Sequence, residues 1–175
     1  MDMNSKLSKL DVENKLNEIY RLKSIVRYNN RPKLSEETVA EHSFYVALIG
    51  MMICDELGTS NECKYEVMIK ALLHDMPEME INDITHDVKT RLHLEDFLAQ
   101  YENEYYEKNF ENYAELMRRH GTKADIILDL ADAMSVKQFC LHEMSLGNIS
   151  YTMRDIHMEA ESRIAKLKEQ LEKEN

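Results

Sequence analysis

Residues 38–57 read TVAEHSFYVALIGMMICDEL. Thr38-Val39-Ala40-Glu41 has the form of a capping box, so a helix starts near Thr38 and ends before Gly58. The run is apolar nearly all round, which predicts a central helix. His42 falls in its first turns, an imidazole set into an apolar surface.

Downstream, a helix starting after Asn61 carries Tyr65, Met68, Ile69, Leu72 and Leu73 to an end at His74-Asp75, with Pro77 as the stop. The acid-rich stretch PEMEINDITHDVK that follows is read as irregular. A long polar helix from about His93 to Arg119 bears Tyr101, Tyr105, Tyr106, Phe110 and Tyr113. The next runs from about Lys123 to Ser145 and carries Asp125, Asp129 and Asp132. A charged helix from about Tyr151 to Glu174 closes the chain. Upstream, Leu7, Leu10, Leu16, Ile19, Leu22 and Val26 form an apolar stripe over about Ser5 to Arg27, broken by Asn29-Asn30-Arg31-Pro32. No segment alternates with period two. The expectation is an all-α bundle of six or seven helices, one domain over residues 1–175.

Composition agrees. Four Gly, two Pro and no Trp leave little material for hairpins, while twelve Met and abundant Leu, Glu and Lys favour helix. Cys54, Cys63 and Cys140 are odd in number and form no CxxC, which argues for a reducing compartment. MDMNSKLSKL holds no apolar run of a signal peptide, and no stretch approaches the roughly 20 apolar residues of a membrane span. The expected location is the cytoplasm.

The net charge of −11 argues against nonspecific binding to duplex DNA. Arg21 to Lys33 nevertheless holds five basic residues and no acid. Such an island is either an anion-binding place or a solvated helix face.

His42, His74, Asp75 and Asp132 all interrupt apolar helical runs. Each alone has an ordinary reading, a hydrogen-bonded histidine or an exposed helical aspartate. Together they are expensive to bury without a partner. Imidazole with carboxylate is the ligand mixture of Mn, Fe, Co, Ni or Zn, so a divalent-metal site between helices is expected. His74 and Asp75 diverge by roughly 100° on an ideal helix, but at a helix end both can turn toward one ion. Other sites are excluded by pattern. No HExxH, ExxH, P-loop or GxGxxG occurs, and no cysteine sits in a nucleophile motif.

The order Arg27-Tyr28, Glu41-His42-Ser43, His74-Asp75 with Glu78, Asp83, and Leu130-Ala131-Asp132-Ala133 resembles the HD-domain superfamily of metal-dependent phosphohydrolases. Within it, the chain is similar to the small 5′-deoxynucleotidases. The likeness spans roughly residues 20–150 and includes the run from Leu141 to Asn148 that ends in Gly-Asn. It implies that His42, His74, Asp75 and Asp132 ligate one divalent cation, Co, Mn, Zn, Fe or Ni, with Mg a further candidate. It implies that Glu78 orients or deprotonates the attacking water and that Arg27 holds the phosphate. Tyr28 would pack on sugar or base, Asp83 would contact the sugar or support the water, and Lys89 would be a second anion contact. His86 departs from the proline-bearing loop of the family and is read as an exposed loop histidine.

Three functions of a metal site are weighed, beside the nonenzymatic reading of a plain helical bundle with scattered polar residues. The first is phosphate release from 2′-deoxynucleoside 5′-monophosphates. The second is hydrolysis of a deoxynucleoside triphosphate at the same site, as in small phage HD proteins that act on dATP. The third is a non-catalytic metal-binding interaction module, ranked last because Glu78 and Arg27 are present. The expected partners are a small deoxynucleotide and a second copy of the chain, in a homodimer or higher homo-oligomer. The five aromatics of the 93–119 helix either lie across a partner or pack on their own core.

Overall fold

A computed structural model describes residues 12–174, with side chains except those of 12–15, 18, 86 and 87. The architecture is all-α. Helices α1 (Val12–Arg21), α2 (Val39–Glu56) and α3 (Asn61–Leu73) come first. Two short helices, α4 (Glu78–Ile81) and α5 (His86–Arg91), precede α6 (Glu95–Asn109) and α7 (Glu111–Arg118). The long helices α8 (Lys123–Ser145) and α9 (Tyr151–Lys173) complete the fold. Among the described residues there is no strand, only an isolated antiparallel bridge between Val26 and Thr38. No described helix is long and apolar enough to cross a membrane.

The capping box at Thr38 forms. The Thr38 N–H donates to Glu41 Oε2 at 2.8 Å, and the Glu41 N–H donates to Thr38 Oγ1 at 3.2 Å. Thr122 and Asp125 make a second box at the start of α8. Helix α2 packs on α3 and α8, and α8 packs on α9. Small residues set the closeness of the central crossing: Ala47 and Gly50 on α2, Ala71 on α3 and Ala131 on α8. A Cβ on Gly50 would stand 2.7 Å from Val67 Cγ1, so only glycine permits this approach.

The first helix is shorter than its stripe predicts. It passes into a 3-10 turn at Leu22–Ser24, because Ile25 and Arg27 exchange backbone hydrogen bonds with Glu37 and Val39 instead of continuing the helix. Residues 5–11 of that expected helix lie outside the described residues. The long polar helix is divided at Phe110, whose φ of −138° and ψ of 47° break it into α6 and α7. Tyr105 and Tyr106 are buried in its own core cluster, so packing within the chain is what these aromatics do. Helix α2 is central but not enclosed, since Phe44, Leu48 and Met52 remain exposed on its outer face. Cys54 and Cys140 are buried, and all three cysteines are free thiols.

Glu143 had no expected role, yet it is fully buried and organises a loop. Its carboxylate accepts from the Leu34 and Ser35 N–H groups, each at 2.7 Å, and from Asn148 Nδ2 at 2.8 Å. The Ser35 hydroxyl donates to it as well, at 2.5 Å. These bonds hold the carboxyl below the usual range against the opposing effect of burial. They also fasten the 32–35 loop, which follows Arg27-Tyr28, to the end of α8.

Candidate metal centre and active site

Three helices deliver the ionisable groups. His42 sits one turn into α2 and is fully buried. His74 is the C-cap of α3, and Asp75 follows it in the turn that Pro77 completes. Asp132 projects from the middle of α8. His42, His74 and Asp75 offer ligand atoms that all lie within 4.8 Å of one another. His74 Nε2 is 3.2 Å and His42 Nε2 3.7 Å from Asp75 Oδ2. Asp132 joins through His42, its Oδ1 being 3.1 Å from His42 Nε2. The loosened helix end thus turns both members of the His74-Asp75 pair inward.

The donor set fits a divalent cation. His74 Nδ1 lies 2.8 Å from the Ala71 carbonyl, which can only accept, so Nδ1 keeps its proton and Nε2, facing Asp75, is the nitrogen that would yield its proton to a cation. His42 Nε2 is buried and has no hydrogen-bond partner of acceptable geometry, despite the short distance to Asp132. A buried unpartnered imidazole nitrogen between carboxylates is the configuration a cation satisfies.

Charges in the cluster hold one another ionised. Burial opposes the Asp75 charge, but His74, His42 and Arg27 outweigh it and keep the carboxyl well below its usual range. Burial likewise opposes Asp132, and His42, Arg163 and Arg27 bring it far down. Burial lowers His74, whereas Asp75 and Asp132 raise it to about 9. Burial and Arg27 lower His42 against the opposing pull of both aspartates.

The other expected residues surround this cluster. Glu78 begins α4, is buried, and has Oε2 without a partner. Burial together with the charges of Asp75 and Asp83 pushes its carboxyl up to about 8. Arg27 lies within electrostatic reach of Asp75 and Asp132 and stands over the Tyr28 ring at 5.2 Å. Tyr28 adopts a left-handed φ of 56° and stacks on Phe139 with centroids 5.2 Å apart. The Tyr28 N–H donates to Asp83 Oδ2 at 2.8 Å, so Asp83 stabilises the turn that presents Arg27 and Tyr28. Lys89 acts electrostatically on Glu78 and Glu102. His86 is among the side chains that are not described.

Four contributors escaped the sequence reading. The Ser135 hydroxyl lies 3.2 Å from His42 Nδ1. Glu37 pairs with Arg27 at 3.2 Å. Arg163 on α9 grips Asp132 Oδ2 at 2.7 Å. Glu102 on α6 feels Asp75, His74 and Lys89. None sits in a motif of its own. Only the helical spacing of Asp132 to Ser135, one turn apart on α8, carried a local hint.

The chain is similar to known proteins over most of its length. A family model described as 5′-deoxynucleotidase YfbR-like matches residues 15–173. No match was found among curated proteins. Among solved structures, the chain is similar to the cyanophage S-2L HD phosphohydrolase DatZ, whose structure holds dA and one catalytic Zn2+ ion. The two are 19% identical, with 86% of this chain and 82% of that one covered and a TM-score of 0.73. It is also similar to an HD-domain phosphohydrolase from Listeria innocua, at 22% identity, 90% and 82% coverage and a TM-score of 0.72. A Pyrococcus horikoshii protein gives 20% identity, 91% and 95% coverage and a TM-score of 0.75. At these identities the structural likeness is one of fold. Matched by the family model over all but its ends, the chain belongs to the YfbR-like 5′-deoxynucleotidase family.

Proposed function

We propose that this chain, as one HD domain, is a metal-dependent phosphohydrolase that releases phosphate from 2′-deoxynucleoside 5′-monophosphates. The observation that carries the reading is the convergence of His42, His74 and Asp75 beside a buried acid, Glu78, and a largely buried guanidinium, Arg27. His42, His74, Asp75 and Asp132 are the proposed ligands, for Zn, Mn, Co, Fe, Ni or Mg. When bound, such a cation polarises the phosphorus centre and makes water more acidic.

The chain's own groups supply the rest. Arg27 binds the phosphoryl oxygens and stabilises charge on them as the bond to the 5′ oxygen breaks. Glu78 orients the attacking water and accepts its proton. Tyr28, held in place by stacking on Phe139, is the proposed contact for sugar or base. Asp83 fixes that turn through the Tyr28 N–H. Lys89 is a second anion contact. In an acidic protein these two cations are what admit an anionic substrate.

The same groups serve a second reading, hydrolysis of a deoxynucleoside triphosphate, because Lys89 acts on Glu78 from the next helix and adds positive charge beyond Arg27. Metal-loaded protein offered each deoxynucleoside mono- and triphosphate separates the two. Inorganic phosphate from monophosphates supports the first, tripolyphosphate or pyrophosphate from triphosphates the second, and no product from either overturns both.

Free thiols at Cys54, Cys63 and Cys140 support a cytoplasmic setting. The apolar outer face of α2, at Phe44, Leu48 and Met52, supports a homodimer or higher homo-oligomer, which light scattering on the purified protein tests.

A further inference from the structure

Arg27 creates a difficulty within its own site. Its charge acts on Asp75 and Asp132, two of the proposed ligands, and its side chain is only 13% exposed. A guanidinium readily forms a forked pair with a carboxylate. Apart from Glu37, these two aspartates are opposite charges for Arg27 to turn to, and a guanidinium paired with either would compete with a cation.

Glu37 engages it from the other side. Arg27 Nη1 donates to Glu37 Oε2 at 3.2 Å, and Glu37 is only 8% exposed. The backbone holds the two residues in register. The Arg27 N–H donates to the Glu37 carbonyl at 2.9 Å, the Val39 N–H donates to the Ile25 carbonyl at 2.9 Å, and Val26 bridges Thr38. The same carboxylate oxygen lies 4.0 Å from His42 Nδ1, behind the ring nitrogen that faces the aspartates.

We propose that Glu37 is a positioning residue that tethers the Arg27 guanidinium away from Asp75 and Asp132, so that one buried arginine serves the phosphate without displacing the cation. This rests on the ligand set of the proposed function. Asp132 carries a matching restraint from Arg163, which occupies the oxygen that does not face His42.

The test uses Co2+ alone, titrated into apoprotein and followed by its visible absorption and by calorimetry. Glu37→Gln is near-isosteric and borders a cavity of about 550 Å³, so it is accommodated without repacking. It is expected to weaken Co2+ binding about tenfold, at the low end of the effect of outer ligand partners. Arg27→Met alone is expected to leave Co2+ affinity unchanged or higher, since it removes a competing cation. The double variant is expected to bind Co2+ within about twofold of Arg27→Met, because the tether then has nothing to hold. Glu37→Asp, which keeps the charge, is expected to retain most of the affinity.

A Glu37→Gln protein that binds Co2+ like wild type overturns the tether. So does a loss that persists in the double variant, which would place the action of Glu37 on His42 or on folding. Weaker Co2+ binding in Arg27→Met also overturns it, and that arm stands even if Glu37→Gln fails to fold. A wild-type protein that takes up no Co2+ overturns the ligand set itself, and the tether with it.

Discussion

The Arg163 guanidinium, on the last helix, divides the Asp132 carboxylate into two halves. It holds Oδ2 at 2.7 Å, while Oδ1 faces His42 Nε2 at 3.1 Å. Its other nitrogen binds Asp129 Oδ1 at 2.7 Å, so Arg163 links two acids one turn apart on α8. A carboxylate with one oxygen committed has a single oxygen to offer elsewhere, in a defined direction.

Arg163→Ala should therefore weaken Co2+ binding by about tenfold without abolishing it. Asp75→Ala, which removes a charged ligand outright, should abolish it. Calorimetric titration checks both. Equal losses in the two variants would contradict the division between ligand and support.

Glu78→Ala should keep the cation and lose turnover, by roughly 10²–10⁴ in kcat. The buried carboxyl with an unpartnered oxygen is placed to take a proton and is outside the converging His42, His74 and Asp75 set. Metal content by atomic emission and steady-state kinetics would be measured together. A near-normal kcat would remove the role proposed for it.

Gly50→Ala should destabilise the fold even though alanine is the better helix former. The propensity gain is about 1 kcal/mol. Against it stands a Cβ placed 2.7 Å from Val67 Cγ1, the stiff tip of a β-branched side chain. Overpacking of this kind costs about 1–3 kcal/mol. Urea denaturation would show a net loss, and Val67→Ala in the same chain should recover part of it.

The buried Lys70 ammonium gives a pH signature away from the active site. It donates to Asp125 Oδ1 at 2.5 Å and to the Arg119 carbonyl at 2.7 Å, with Glu66 Oε1 at 3.1 Å. Burial raises the Asp125 carboxyl, but Lys70 and Thr122 outweigh it and hold it below its ordinary 3.8. A depressed folded value means the stabilisation is complete above that ordinary value. It is lost as pH falls through the folded one. Asp125→Asn should cost about 1–3 kcal/mol at pH 7 and progressively less below pH 4. A deficit of constant size across that range would show that Asp125 acts without its charge.

Helix and site were legible wherever the signal was local. Capping chemistry at Thr38, the break at Pro77 and the apolar runs of α2, α3 and α8 gave their boundaries within a few residues. His42, His74, Asp75 and Asp132 stood out because each places a polar group on an apolar surface. The split of the 93–119 helix was not legible, since Phe110 and its neighbours have no breaker residue between them.

Covalent order alone therefore determined the all-α class, the cap positions and the identity of the groups that needed burial with partners. Those properties follow from side-chain chemistry and helical period over a few turns. Tertiary packing decided which of those groups meet. The Gly50 approach brings α2 against α3 and α8. Glu37 and Arg163, silent in the linear pattern, act only because a bridge at Val26 and Thr38 and the packing of α9 on α8 bring them to Arg27 and Asp132. Such pairings depend on distances through space that no spacing along the chain encodes.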